Sequence, residues 1–347
     1  MSGVKKYNVG IIGYGWVASA HIPAINAAPQ AQVTAVCSSR KLDPAELSHR
    51  HGGRISVFTE LDQMLADPEI HVVSVCSYPY DHFKHVIAAA KAGKHLIIEK
   101  PLCLSLKELR ALNRAVAAAK VKTCVCFEVR YSSQFLATKA VIDSGLLGKI
   151  HYGEVDYYHG IGPWYGQFRW NVRKDAGGSS LLSAGCHAMD ALLLCMDGEV
   201  ETVSAYAAGS ANRDFKKYEY PTTSVTILQF KDGRAGKVTS CIDCLQPYYF
   251  HTHLVGSEGS LLDNKFHSAK LEGVSQTRWS ELAMKLVDSG DVSDHPYETQ
   301  FRAFFNALEA GKEMPLTSLA EATKSHELVF AADRAAETGR PVKLAEL

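Results

Sequence analysis

The run Val9-Gly-Ile-Ile-Gly-Tyr-Gly-Trp-Val-Ala18 sets two glycines directly after a short apolar stretch. Residues suited to a helix continue to Ala28, where Pro29 stops them. Gly13 allows a tight turn after a strand, Gly15 lets backbone approach a pyrophosphate held at the following helix N-terminus, and Ala18 keeps helix and strand close. A second strand-like run, Val33-Thr-Ala-Val36, follows at the spacing of a βαβ unit. Together these features predict a dinucleotide site at the start of the chain, with Trp16 and Val17 in its turn.

The length, 347 residues, suits two domains rather than one core. A hydrophobic content of 46% with 21% charged residues describes a globular chain, not a disordered one. Basic and acidic residues both number 37, so no net positive field exists to hold nucleic acid. The opening residues lack a signal-peptide core and no segment has the purity of a membrane span, which predicts a cytoplasmic protein. Nine irregularly spaced cysteines do not describe a disulfide framework. The one C-x-x-C pair, Cys241 and Cys244, lies in a strand-like segment and reads as ordinary buried thiols. No metal site is expected.

Short apolar strands alternate with helices over residues 1–126, predicting a parallel sheet covered on both faces. Ser105 with Glu108 reads as a capping box for the helix that follows. Residues 127–347 read as a second, α+β domain on a large, mostly antiparallel sheet, with strands at Lys149–His159, Val203–Ala208, Ser224–Phe230, Ala235–Ile242, Phe250–Val255 and Ser260–Leu262. Helices are expected at Ser133–Ser144, Glu298–Glu309 and Leu319–Thr338, whereas Phe266–Asp294 fits no single pattern. A sheet face left open by the helices is available to a second subunit, so a homodimer or homotetramer is expected.

Two further strings carry chemistry. In His95-Leu-Ile-Ile-Glu-Lys-Pro101, Glu99 and Lys100 follow a strand at the carboxyl edge of the sheet, where ligands of open α/β folds bind. A lysine there can bond a substrate hydroxyl and help move its proton, or simply end a strand at the surface. Ser77, Tyr78 and His82 stand at another strand end and can wall the cofactor site. In Gly177-Gly-Ser-Ser-Leu-Leu-Ser-Ala-Gly-Cys-His187, Gly185 marks a helix entrance and places His187 in the first turn, where the dipole favours a neutral imidazole. His187 and Asp190 lack a nearby third metal ligand. His251 and His253 alternate along one strand and face one side, a pair that reads as structural rather than metallic.

With Gly13-Tyr-Gly-Trp-Val-Ala18, Glu99-Lys-Pro101, Gly177-Gly178, Gly185-x-His187 and Asp190, the chain resembles the glucose-fructose oxidoreductase, inositol dehydrogenase and MocA family over nearly its whole length. The resemblance implies two domains with a nonmetal hydride-transfer site between them and sugar or polyol substrates. It makes Lys100 a substrate-hydroxyl binder and proton relay, and His187 the residue nearest the oxidised hydroxyl. Ser183 stands where many members have an aspartate, which shifts weight onto Lys100 and His187, and Tyr78-Pro79 stands where many have Pro-Asn. Two other readings of the same residues are a lyase or glycosidase that oxidises a ring carbon transiently with retained NAD, and a non-catalytic cofactor-binding regulator.

Cofactor choice turns on Cys37-Ser-Ser-Arg40 at the end of the second strand. No acidic residue is present to take the adenosine ribose hydroxyls, whereas Ser38, Ser39 and Arg40 suit a 2′-phosphate. NADP is therefore expected, with NAD the alternative. Arg130, Tyr158, Trp164 and Arg169 join Lys100, Ser183 and His187 as substrate residues, since aromatic faces pack on sugar rings and polar edges bind hydroxyls.

Overall fold

A computed structural model describes residues 6–347, so the opening stretch read for a signal peptide lies outside the described residues. The chain divides into two compact units, Met1–Glu128 with Asp291–Thr323, and Val129–Gly290 with Lys324–Leu347.

The first unit contains β1 (Tyr7–Ile12), α1 (Ala18–Ala27), β2 (Ala31–Cys37), α2 (Pro44–His51), β3 (Ser56–Phe58), α3 (Leu61–Ala66), β4 (Val72–Val75), α4 (Pro79–Lys91), β5 (His95–Ile98), α5 (Leu106–Ala119) and β6 (Thr123–Val125). The strands pair in parallel in the order β3-β2-β1-β4-β5-β6. β4 is buried at every position, as a strand covered on both faces must be. The order reverses between β1 and β4, and that crevice at the carboxyl ends is where such sheets bind ligands. Ser105 caps α5 by accepting from Glu108 N at 3.3 Å, while the Glu108 carboxylate accepts from Leu104 N at 3.1 Å.

The second unit contains α6 (Ser133–Asp143), β7 (Ile150–Tyr158), the short turns α7 (Phe168–Asn171) and α8 (Lys174–Gly177), α9 (Cys186–Cys195), β8 (Val200–Ala208), β9 (Thr223–Phe230), β10 (Ala235–Cys241), β11 (Tyr249–Gly256), β12 (Gly259–Leu262), β13 (Lys265–Ser268) and β14 (Ser280–Glu281). With β15 (Val342–Lys343) these strands form one nine-stranded sheet, β14-β13-β12-β11-β7-β10-β9-β8-β15, in which only β7 and β10 run parallel. The unplaced stretch from Phe266 thus supplies most of β13 and all of the edge strand β14. Gly153 and Gly236 let α9 lie close on the sheet: a Cβ at Gly153 would meet the Met196 sulfur at 2.2 Å, and one at Gly236 the Leu192 side chain at 3.0 Å.

One expected boundary changes. Residues 291–323, with α10 (Tyr297–Glu309) and the start of α11 (Leu319–Thr338), belong to the first unit rather than the second. Hydrogen bonds decide it. Val125 N donates to Thr317 O at 2.8 Å, Gln300 donates to Val125 O at 2.9 Å, and Leu319 N donates to Thr123 Oγ1 at 3.0 Å. Edge strand β6 needs these partners, and the local pattern of α10 says nothing of which sheet it serves.

Candidate active site

The glycine turn after β1 fits a dinucleotide on two counts. Gly13 has φ +88°, and a Cβ there would stand 2.9 Å from Cys76 O and the Ser77 backbone, so the position needs glycine for conformation and for space. A Cβ at Gly15 would meet no protein atom within 4 Å, so the turn is open on that side to the approach of a ligand. α1 has no side-chain cap and no acidic residue in its first turn, so its N-terminal dipole is not neutralised from within. At the end of β2 the Ser38 hydroxyl accepts from Arg40 N at 3.2 Å. The Arg40 guanidinium donates to Tyr14 O and lies 6.0 Å from the Tyr14 ring centre, directly over the turn. Ser39 is exposed beside it, as is Trp16.

Behind the turn lies a buried polar network. The His21 Nε2 and Glu99 Oε1 atoms are 2.9 Å apart, and His21 Nδ1 lies 2.9 Å from the Ser74 hydroxyl. Burial by itself would lower the His21 pKa and raise that of Glu99. Cys76 and Glu99 outweigh it for His21, at about 10, and the hydrogen bond and charge of His21 outweigh it for Glu99, at about 2. Glu99 also accepts from the Tyr297 hydroxyl at 2.9 Å and, on its other oxygen, from Lys100 N at 3.1 Å. It therefore faces inward and fixes the backbone of the half-buried Lys100, whose peptide to Pro101 is cis.

His82 is also buried. Its ring nitrogens lie 2.7 Å from Pro101 O and 2.9 Å from Ser77 O, and burial pushes it toward the neutral form. It ties two strand ends together. The Ser77 hydroxyl pairs with His85 at 2.8 Å, while Tyr78 and Tyr80 stack in the open with ring centres 5.4 Å apart.

In the second unit, Ser183 and His187 are both buried and one turn apart on a continuous helical run. Here the expected helix entrance is corrected. A π-helical turn (Leu181–Gly185) leads straight into α9, and Ser183 N already bonds Ser179 O at 2.9 Å. His187 therefore sits past the first turn, and the dipole has less hold on it than its sequence position suggests. Gly185 serves contact instead, since a Cβ would come 2.4 Å from Ser240 Cβ. A Cβ at Gly177 would come 2.6 Å from the Tyr220 hydroxyl, which donates to Asn171 O at 2.6 Å.

Arg130 is 3% exposed and grips Asp190 with two bonds of 2.5 and 2.8 Å, so its guanidinium holds α9 rather than facing outward. Ser325 donates to the same carboxylate at 2.7 Å. Tyr158 stands on the sheet face opposite α9, stacked on Tyr249 with its hydroxyl 3.3 Å from Asp156. Its neighbour Tyr157, which the sequence reading passed over, faces α9 instead and bonds His159 at 2.9 Å, within an aromatic group that includes Tyr165 and Tyr248. Strict alternation along β7 is the signal that separates the two tyrosines. Trp164 is exposed, with its indole donating to Gly160 O at 3.1 Å, and Arg169 is exposed on α7. Cys241 and Cys244 are half-buried rather than buried, and Cys244 beside it holds the Cys241 thiol down at about 7.

Residues 7–127 match the model of the oxidoreductase family with an NAD-binding Rossmann fold, and residues 135–262 match the GFO/IDH/MocA C-terminal domain. The chain belongs to the Gfo/Idh/MocA oxidoreductase family. Its members use NAD or NADP, and the chain is an NAD(P)-dependent oxidoreductase. It is 25% identical to myo-inositol 2-dehydrogenase of Thermotoga maritima over 98% of this chain and 99% of that protein. It is 29% identical to levoglucosan dehydrogenase of Pseudarthrobacter phenanthrenivorans over 85% and 82%. A solved levoglucosan dehydrogenase in complex with NADH and levoglucosan shares the fold, with TM-score 0.84 at 22% identity over 98% of this chain and 100% of that one.

Proposed function

We propose that the chain moves hydride between NADP and a hydroxyl-bearing carbon of a sugar, glycoside or cyclic polyol, with Lys100 and His187 managing the proton. The observation that carries this is the Glu99-Lys100-Pro101 turn. Glu99 is held by His21 and Tyr297, so the outward charge at the carboxyl edge of β5 is that of Lys100. The nicotinamide cofactor, when bound, supplies the hydride acceptor or donor. Gly13, Gly15, Trp16 and Val17 would hold its pyrophosphate, and Ser38, Ser39 and Arg40 its adenosine end. Lys100 bonds the substrate hydroxyl and shares its proton, while His187 accepts that proton as the carbinol is oxidised and returns it on reduction. Ser183 cannot support His187 with charge as an aspartate would, which leaves the proton with Lys100 and His187.

Arg40 carries the preference for NADP: its guanidinium stands over the glycine turn, and no acidic residue stands among Ser38, Ser39, Arg40 and Lys41 to favour ribose hydroxyls. The substrate class rests on the relatives, which are named for myo-inositol and levoglucosan. The test follows the near-ultraviolet absorbance of reduced cofactor across free sugars, glycosides, inositols and anhydrosugars, each paired with NADP and with NAD. A sustained substrate-dependent rise with NADP is expected. A rise with NAD alone would remove the role given to Arg40, and turnover without net cofactor change would remove the dehydrogenase.

We also propose a homodimer or homotetramer that uses the open sheet face at β8 and β9, where Tyr206 is 77% and Ile227 46% exposed. Sedimentation equilibrium that finds only monomer would remove it. No described helix is long and apolar enough to cross a membrane, and nine free cysteines suit a reducing, cytoplasmic setting.

A further inference from the structure

The sheet face opposite α9 carries a cluster that the proposed reaction does not use. Because Gly153 is pressed against Met196 and Leu192, alternation puts Tyr152, Glu154 and Asp156 of β7 on the other face. Register then sets His253 of β11 beside Glu154, His251 beside Asp156, and Lys237 of β10 beside Glu154. Glu154, His251 and His253 each offer a ligand atom, and the three atoms lie within 4.8 Å of one another. The pair of histidines in one strand thus gains a carboxylate from the next.

We propose that Glu154, His251 and His253 bind a divalent transition-metal ion of the zinc type. Two imidazoles and a carboxylate suit such an ion and leave one position for water. A tetrahedral ion with bonds of about 2.0–2.2 Å holds its ligands roughly 3.4 Å apart. From 4.8 Å, closure asks for rotation of three half-buried side chains. His251 is already oriented for the task. Its Nδ1 lies 3.2 Å from Asp263 Oδ1 and 3.0 Å from the Tyr249 hydroxyl, which leaves Nε2 for the ion. Asp263 is fixed in turn by Thr252 N at 2.9 Å and the Tyr249 hydroxyl at 2.6 Å. A carboxylate behind a ligating histidine sets its tautomer and strengthens it as a donor.

Lys237 competes for Glu154 but also bonds Asp156 at 2.9 Å, and it keeps that partner when Glu154 turns to the ion. Glu154 and Asp156 share the one ammonium of Lys237, while Asp263 pairs with His251, so carboxylates are in excess on this face and a dication offsets their charge. The ion would clip β7 to β11 and has no part in hydride transfer.

The test is a titration of the full chain with Co²⁺, read by its visible absorption, followed by displacement with Zn²⁺. One equivalent per chain is expected. His253→Asn and Glu154→Gln should each weaken binding at least tenfold, with folding checked by circular dichroism. Asp263 has φ 54°, a conformation asparagine tolerates, so Asp263→Asn keeps the backbone and should weaken binding about 10–100-fold. Replacing Cys241 and Cys244 with serine should change nothing. Absence of saturable binding, binding untouched by His253→Asn and Glu154→Gln, or loss of binding in the cysteine variant would overturn the proposal.

Discussion

Glu99 and Lys100 are adjacent in sequence and opposite in role. The carboxylate of Glu99 belongs to a buried ion pair, whereas the ammonium of Lys100 is the group proposed for proton transfer. Lys100→Met and His187→Ala should each lower kcat by about 10²–10⁴-fold, the usual share of a proton-transfer group, with an unchanged circular dichroism spectrum. Wild-type kcat in both variants would remove them from the mechanism. The ion pair also sets a pH window for stability. Glu99 is held at about 2 against an ordinary 4.5, so its contribution is present above 4.5 and is lost as pH falls toward 2. His21 is raised from 6.5 to about 10, so its contribution is complete below 6.5 and is lost as pH rises through 10. Glu99→Gln should cost about 3–5 kcal/mol, as breaking a buried pair does, and should flatten the acid limb of a plot of melting temperature against pH while weakening the alkaline limb only in part, since Cys76 also raises His21. An unchanged plot would mean that His21 is neutral in the folded chain.

At the scale of elements, glycine decides how closely α9 meets its sheet. Gly185→Ala puts a Cβ 2.4 Å from Ser240 Cβ, so the helix must lift and His187 with it. The expected cost is about 1–3 kcal/mol, as for overpacking, together with a fall in kcat larger than any change in KM for cofactor. Ser240→Gly in the same chain should restore part of both. If the double variant behaves like the single one, the contact with Ser240 is not what Gly185 serves. The glycines were legible in the sequence, but their partner was not. A Gly-x-His string shows that something must lie close, and only the pairing of β10 with β7 identifies it as Ser240. The π-helical turn was likewise hidden, because Leu181–Gly185 has the same composition as an ordinary helix start.

At the scale of the whole molecule, the first unit is discontinuous in sequence. A fragment ending at residue 128 lacks Tyr297, Gln300 and Thr317, and so leaves Glu99 and the edge of β6 short of partners. It should melt in calorimetry well below the first transition of the full chain and with weaker cooperativity. Equal melting would mean that residues 291–323 add nothing to that unit.

The sequence by itself determined the parallel sheet, the glycine turn, the large second sheet and the family, because each rests on local periodicity or on residues close together in the chain. It also singled out Lys100 and His187 by motif. Only the tertiary structure decided which buried polar groups meet. Glu99 finds His21 across 78 residues and Tyr297 across 198, Arg130 finds Asp190, and Glu154 finds two histidines one strand away. The reason is physical: a strand or helix records in its sequence which face is buried, but the partner of a buried charge is fixed by strand order and register, which no local pattern contains.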